Sequence, residues 1–225
     1  MSPTLTRKIA AETLGTAFLL ATVVGSGIMA ERLCGGNTGL ALLANALATG
    51  GGLVALILTF GPLSGAHFNP AVSVVALLRG ELTGGETLAY LVAQLLGALA
   101  GVAAAHGMFE LPLFFASQHV RTGMSQWWSE WIATFGLISV ILGCSHAHPS
   151  RTPFAVAAYI VGAYWFTSST SFANPAVTLA RAASDTFAGI RPLDAPLFIV
   201  AQLAGAICAA LLWRWLLAKQ PASGA

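Results

Sequence analysis

The sequence predicts an all-α membrane protein with six transmembrane helices and two membrane half-helices, arranged as an inverted repeat. Three observations carry the prediction. Of the 225 residues, 56% are hydrophobic and only 8% are charged, whereas a soluble domain carries about 25% charged residues. Six apolar stretches are long enough to cross about 30 Å of hydrocarbon as helices. Two shorter apolar stretches both open on Asn-Pro-Ala-Val.

The six long stretches fall at about 9–30, 39–60, 86–108, 128–146, 153–170 and 195–217. Arg7 and Lys8 ahead of the first imitate a signal peptide. The run from Ile9 to Ala30 exceeds a hydrophobic region of about 7–15 residues and shows no convincing cleavage site, so it reads as the first span. Arg32, Arg79, Glu81, Arg121, Arg151, Arg191 and Asp194 fall in the breaks.

The short stretches, 69–78 and 174–183, cannot span a bilayer. They begin Asn69-Pro70-Ala71-Val72 and Asn174-Pro175-Ala176-Val177. Asn is a preferred N-cap and Pro a preferred first helical residue, so each Asn-Pro reads as the start of a helix.

The repetition extends beyond these motifs. Glu12 and Thr16 match Glu130 and Thr134, and Ala93-Gln94-Leu95-Leu96-Gly97-Ala98 matches Ala201-Gln202-Leu203-Ala204-Gly205-Ala206. The chain 1–225 reads as a single membrane domain made of two repeats, about 9–108 and 128–217. Three spans per repeat place the copies in opposite orientations about an axis in the membrane plane.

Loop charges orient the chain. With both termini cytoplasmic, Arg7, Lys8, Arg79, Arg151, Arg214 and Lys219 lie inside and Arg32, Arg121, Arg181 and Arg191 outside. Six basic residues against four has the expected sign. The basic residues are scattered, unlike the clustered face of a nucleic-acid binder. Cys34, Cys144 and Cys208 form no pair or metal-binding spacing. No catalytic triad, metal-ligand cluster or phosphate loop is evident, so neither an enzyme nor a cofactor is expected.

Backbone that leaves helical form at membrane depth must be buried in protein or line a wet cavity. Ser64-Gly65-Ala66-His67-Phe68 and Ser169-Thr170-Ser171-Phe172-Ala173 precede the two motifs and suit loops that turn carbonyls toward water. Inverted symmetry brings the two helix N-termini together. Each carries about half a positive charge, which repels cations, and the Asn amides can donate to a passing oxygen.

These residues resemble the major intrinsic protein family, the aquaporins and aquaglyceroporins, over roughly residues 9–217. Gly65-Ala66-His67-Phe68-Asn69-Pro70-Ala71-Val72 is close to that family's first signature loop. The resemblance implies homotetramers in the lipid bilayer, with one pore per subunit and small neutral solutes as the permeants. It also implies a second constriction, placed by spacing from the motifs at Thr49, Gly162, Ser171 and Val177. Family members usually carry Arg where this chain has Val177, and water-selective members usually carry aromatic and His side chains at Thr49 and Gly162. The expected opening is wide and neutral, with no guanidinium. Arg181, one turn beyond Val177, is expected to snorkel to the interface, with lining of the outer vestibule as the alternative.

The stretch from Asn174 to Ile190 resembles a bacterial branch of the family, some of whose members occur with arsenic-resistance genes. That extends the expected solutes from water and glycerol-like polyols to neutral metalloid hydroxides such as arsenite, at the bacterial inner membrane. Glu12, Glu130 and His67 are expected to support the two loops. A proton relay through Glu12 and Glu130 would instead describe a coupled secondary transporter.

Overall fold

The structure is a computed structural model that describes residues 3–218. Lys219, counted above among the cytoplasmic charges, lies outside the described residues. Among the described residues eight α-helices form: α1 (Leu5–Leu33), α2 (Thr38–Ser64), α3 (Pro70–Leu78), α4 (Gly84–Met108), α5 (Met124–Ala147), α6 (Thr152–Phe166), α7 (Pro175–Arg181) and α8 (Ala195–Leu216). No strand forms among the described residues, and the one β-pairing there is an isolated bridge between Phe115 and Ser184.

Local chemistry sets the helix ends. Thr83 and Glu86 form a reciprocal capping box at the start of α4. Asn37 caps α2 by accepting from the Leu40 amide at 3.0 Å, and α2 stops where Gly65 turns left-handed at φ 87°. Asn69 and Asn174 cap α3 and α7, each with Pro at the first position.

Among the described residues, five helices are long and apolar enough to cross a membrane. The remaining long segment, expected at 153–170, is shorter than expected. Its helix, α6, has 15 residues, about 22 Å at 1.5 Å per residue, and ends at Phe166. The Thr167 hydroxyl bonds back to Ala163 O at 2.6 Å, and the following Ser168-Ser169-Thr170 joins the loop ahead of Asn174. The chain leaves the helix at Thr167, whose backbone is extended at φ −109° and ψ 142°.

Packing follows the repeat. In the first half α1 packs against α4 and α2, and in the second half α5 packs against α8 and α6. Gly97 on α4 and Gly205 on α8 occupy matching places. A Cβ on Gly97 would collide with the carbonyl of Thr13, and one on Gly205 with the carbonyl of Trp131. Backbones in lipid approach this closely only across small residues.

Gly97→Val should therefore lower the melting temperature in detergent or abolish the folded protein. The colliding atoms are backbone, so the cost should exceed the about 1–3 kcal/mol typical of overpacking. Gly107→Val in the same helix, where a Cβ would meet nothing within 4 Å, serves as the control. Equal melting temperatures for the two variants would refute the close-packing account.

The bundle has two ends. The near end holds the Lys8–Glu86 pair at 3.6 Å and the Arg79–Glu81 pair at 2.6 Å. The far end holds the loop after α4, where buried His106 contacts Leu113 O and the Ser184 hydroxyl, each at 2.8 Å. Arg191 pairs with Asp194 there at 2.8 Å.

Candidate functional site: a cavity between two half-helices

The half-helices α3 and α7 run in from opposite ends and meet at their first residues. Each Asn ties them together. Asn69 Oδ1 accepts from the Ala71 amide at 2.9 Å, which turns Asn69 Nδ2 outward to donate to Ala173 O at 2.8 Å. Asn174 Oδ1 accepts from the Ala176 and Val177 amides at 3.0 and 3.2 Å, and Asn174 Nδ2 donates to Phe68 O at 2.8 Å. The capping role settles the orientation of each amide, because only the oxygen can accept. An amide NH2 carries two hydrogens, so each Asn keeps one donor beyond its cross-link. Pro70 and Pro175 occupy the first helical positions, and Ala71 and Ala176 are buried behind them.

The loops ahead of the two Asn residues are held in uncommon backbone conformations. Ala66 and Phe68 in one loop, and Thr170, Ser171 and Ala173 in the other, lie at φ between 47° and 62°. Left-handed geometry costs a non-glycine residue about 1–2 kcal/mol, so these turns need support from their surroundings. The carbonyls of Gly65, Ala66, His67, Thr170, Ser171 and Phe172 accept no hydrogen bond from any described residue.

Two fully buried carboxylates supply the support. Glu12 accepts from the His67 amide at 2.9 Å, the Phe68 amide at 2.7 Å, the Ser64 hydroxyl at 2.6 Å and Gln94 Nε2 at 2.9 Å. Glu130 accepts from the Phe172 amide at 2.9 Å, the Ala173 amide at 2.8 Å and Gln202 Nε2 at 2.6 Å. Gln94 also donates to Ser73, and Gln202 to Thr178, each at 2.9 Å. His67 adds a ring contact, with Nδ1 3.0 Å from the Ser73 hydroxyl, and packs edge-on to Tyr90. Glu12 and Glu130 do not line the cavity and both are 0% exposed. Their oxygens are occupied by loop and Gln donors, which removes the basis for a coupled transporter using them as a proton relay.

A cavity of about 250 Å³ runs between the half-helices, from Arg79, Glu81 and Ser145 at the near end past both Asn residues to Tyr164 and Arg181 at the far end. Of the four constriction positions placed by spacing, Thr49, Ser171 and Val177 line it. Each is at least nine-tenths buried. The Ser171 hydroxyl has no partner among the described residues.

Gly162 does not reach the cavity. It is exposed on α6, and a Cβ there would meet nothing within 4 Å. The cavity face of α6 is the i, i+4 row Thr152, Val156, Ile160 and Tyr164, and Gly162 lies about 200° from it around the helix. A count back from Asn174 ignores this phase. Tyr164 does line the cavity, its hydroxyl 3.3 Å from that of Thr49. Helical periodicity from Ile160 was the available signal for it.

Arg181 departs from expectation as well. It is 3% exposed and lines the cavity, so it does not snorkel. Its Nε donates to Ala188 O, and its guanidinium lies 3.4 Å from the centre of the Phe172 ring. Arg121 approaches the same ring at 5.1 Å and donates to Gly189 O at 2.7 Å. The Gln94 and Gln202 supports were visible in the sequence as repeat partners. Arg121 and Phe172 carried no such signal.

Opposed half-helices, cross-linked at their caps and opening on a cavity through a helical bundle, define a membrane channel of inverted-repeat design. Comparison with known proteins makes the class specific. The chain belongs to the major intrinsic protein family, whose sequence pattern matches residues 1–168 and 151–224. It is 56% identical over 218 residues to aquaglyceroporin AqpS of Rhizobium meliloti (strain 1021), covering 97% of this chain and 92% of that protein. It is 31% identical to aquaporin AqpM of Methanothermobacter marburgensis, covering 94% and 98% of the two chains. Its fold matches the X-ray structure of the aquaglyceroporin from Plasmodium falciparum with a TM-score of 0.69 at 23% identity, over 93% and 96% of the two chains.

Proposed function

We propose that the chain is a passive channel for water and small uncharged polyhydroxy solutes of glycerol size, with neutral metalloid trihydroxides such as arsenite among its permeants. The observation that carries this reading is the pair of cross-linked Asn caps, each with a spare amide hydrogen, between two helix N-termini on one cavity. A solute oxygen arriving there meets two donors and the positive ends of two dipoles, so it must accept from both sides. That breaks a donor-to-acceptor water file and disfavours cations. The unbonded loop carbonyls offer acceptors on the way in and out. The solute thus exchanges water for fixed polar groups without chemical change.

Thr49, Tyr164, Ser171 and Val177 form the solute-selecting part of this proposal, with Val177 leaving room that a larger side chain would occupy. Glu12, Glu130 and His67 keep the loops in place. Both termini are proposed to be cytoplasmic, and the protein to be a homotetramer in a bacterial inner membrane. Exposed apolar side chains such as Leu14, Phe18, Leu88 and Val200 give the outer helix faces surface for lipid and for neighbouring copies.

Stopped-flow light scattering on liposomes containing the protein tests the reading. Water, glycerol and arsenite fluxes are each expected to exceed those of empty liposomes by about tenfold or more, with no dependence on a proton gradient. Glycerol flux equal to that of empty liposomes would overturn the solute proposal, and flux that follows an imposed proton gradient would overturn passive conduction.

A further inference from the structure

Arg181 is a buried cation on the pore wall with no carboxylate within 4 Å among the described residues. Two acids of the far end are engaged elsewhere. Asp194 takes the Arg121 amide and the Arg191 guanidinium, and Asp185 takes the Gln118 amide and lies 3.6 Å from His119. A charge removed from water is ordinarily paired. Here the compensation is the face of Phe172 and the carbonyl of Ala188, neither of which neutralises it. Arg121 at the same ring adds a second cation.

The side chain is also fixed. Nε is held by Ala188 O and the guanidinium plane by the ring, while the two terminal nitrogens donate to no described residue and are not sealed from the cavity. An arginine clamped at Nε and free at its fork presents planar donors in a fixed direction.

We propose that Arg181 is the specificity-determining cation of this pore, set one helical turn, about 6 Å, farther out than Val177. Its charge repels potassium and hydronium at the far mouth. Its free N–H fork hydrogen-bonds the hydroxyl oxygens of polyhydroxy solutes as they enter. Val177 then widens the passage behind it without loss of the cationic barrier. The inference rests on the channel reading above. Glycerol flux through the unmodified protein tests that reading, and the selectivity of the Arg181 variants tests this one.

The experiment compares wild type, Arg181→Gln and Arg181→Lys in liposomes, after size-exclusion chromatography has shown that each variant is folded. Potassium and proton leak, glycerol flux and water flux are recorded for each. Arg181→Gln should raise cation leak relative to glycerol flux by about tenfold or more. Arg181→Lys should keep the exclusion of cations but lower the glycerol-to-water ratio at least about threefold, because an ammonium lacks the fork. A purely structural role would lower all fluxes together and leave the ratios unchanged, which would overturn the proposal. If Arg181→Gln does not fold, an unchanged glycerol-to-water ratio in Arg181→Lys overturns it. If neither folds, potassium leak through the unmodified protein comparable to glycerol flux overturns the proposal.

Discussion

Glu130→Gln is expected to reduce glycerol flux at equal reconstituted protein by about tenfold or more and to lower the melting temperature in detergent. Glu130 is fully buried and meets three donors: the amides of Phe172 and Ala173, and Gln202 Nε2. A Gln side chain keeps the shape but offers one oxygen and one NH2. Whichever way it turns, at least one buried donor faces another donor. An unsatisfied buried donor costs about 1–3 kcal/mol, and the remaining bonds lose the strength lent by charge.

The loop has strain to release. Thr170, Ser171 and Ala173 all sit in the left-handed region, at about 1–2 kcal/mol each. Weakening the carboxylate clamp therefore favours relaxation of the loop, and with it the loss of the carbonyls and of the Ala173 oxygen that Asn69 bonds. Glu12→Gln should behave similarly, because Glu12 supports the other loop in the same manner. Wild-type flux and melting temperature in Glu130→Gln would show that the clamp does not hold the pore loop.

Val177→Arg is expected to lower glycerol flux about tenfold or more while water flux changes by less than about threefold. Val177 lies in the first turn of α7, lines the cavity and is 5% exposed. An Arg there would push a longer, charged side chain into a space of about 250 Å³ shared with Thr49 and Tyr164. It would also stand one turn from Arg181, and like charges at i, i+4 repel. Water can pass a narrowed opening that glycerol cannot. A tenfold loss corresponds to about 1.4 kcal/mol on the barrier, well within what steric contact and desolvation of a triol can supply. Paired measurements of glycerol and water flux on one liposome preparation decide the matter. Equal loss of both would point to damage in α7 rather than to size selection.

The architecture was legible in the sequence because each of its determinants is local or periodic. Span length shows as uninterrupted apolar run, half-helix starts as Asn-Pro, and the duplication as residues recurring in order. Glu12 and Glu130 stood out because a carboxylate inside an apolar run is costly, and their recurrence pointed to one shared task. The limits of the segment at 153–170 were less legible, since hydropathy does not record that the backbone turns extended at Thr167.

The channel site divides along the same line. Asn69, Asn174 and the residues that follow them came from the sequence, because a cap and the first turn of a helix are set by neighbours in the chain. The constriction did not come entirely from it. Gly162 was placed by counting, whereas Tyr164 reaches the cavity by helix phase. Arg181 read as an interfacial residue because its position near the end of a short helix says nothing about Phe172 or the carbonyl of Ala188.

By itself the sequence determined the membrane class, the inverted duplication, the two capped half-helices and the carboxylates that serve them, since these depend on burial, propensity and spacing along the chain. Only the tertiary structure decided which side chains face the passage and which charge stands at its mouth. Those outcomes depend on the rotation of each helix and on contacts such as Arg121 with Gly189, between residues far apart in the chain. No single stretch of sequence encodes them.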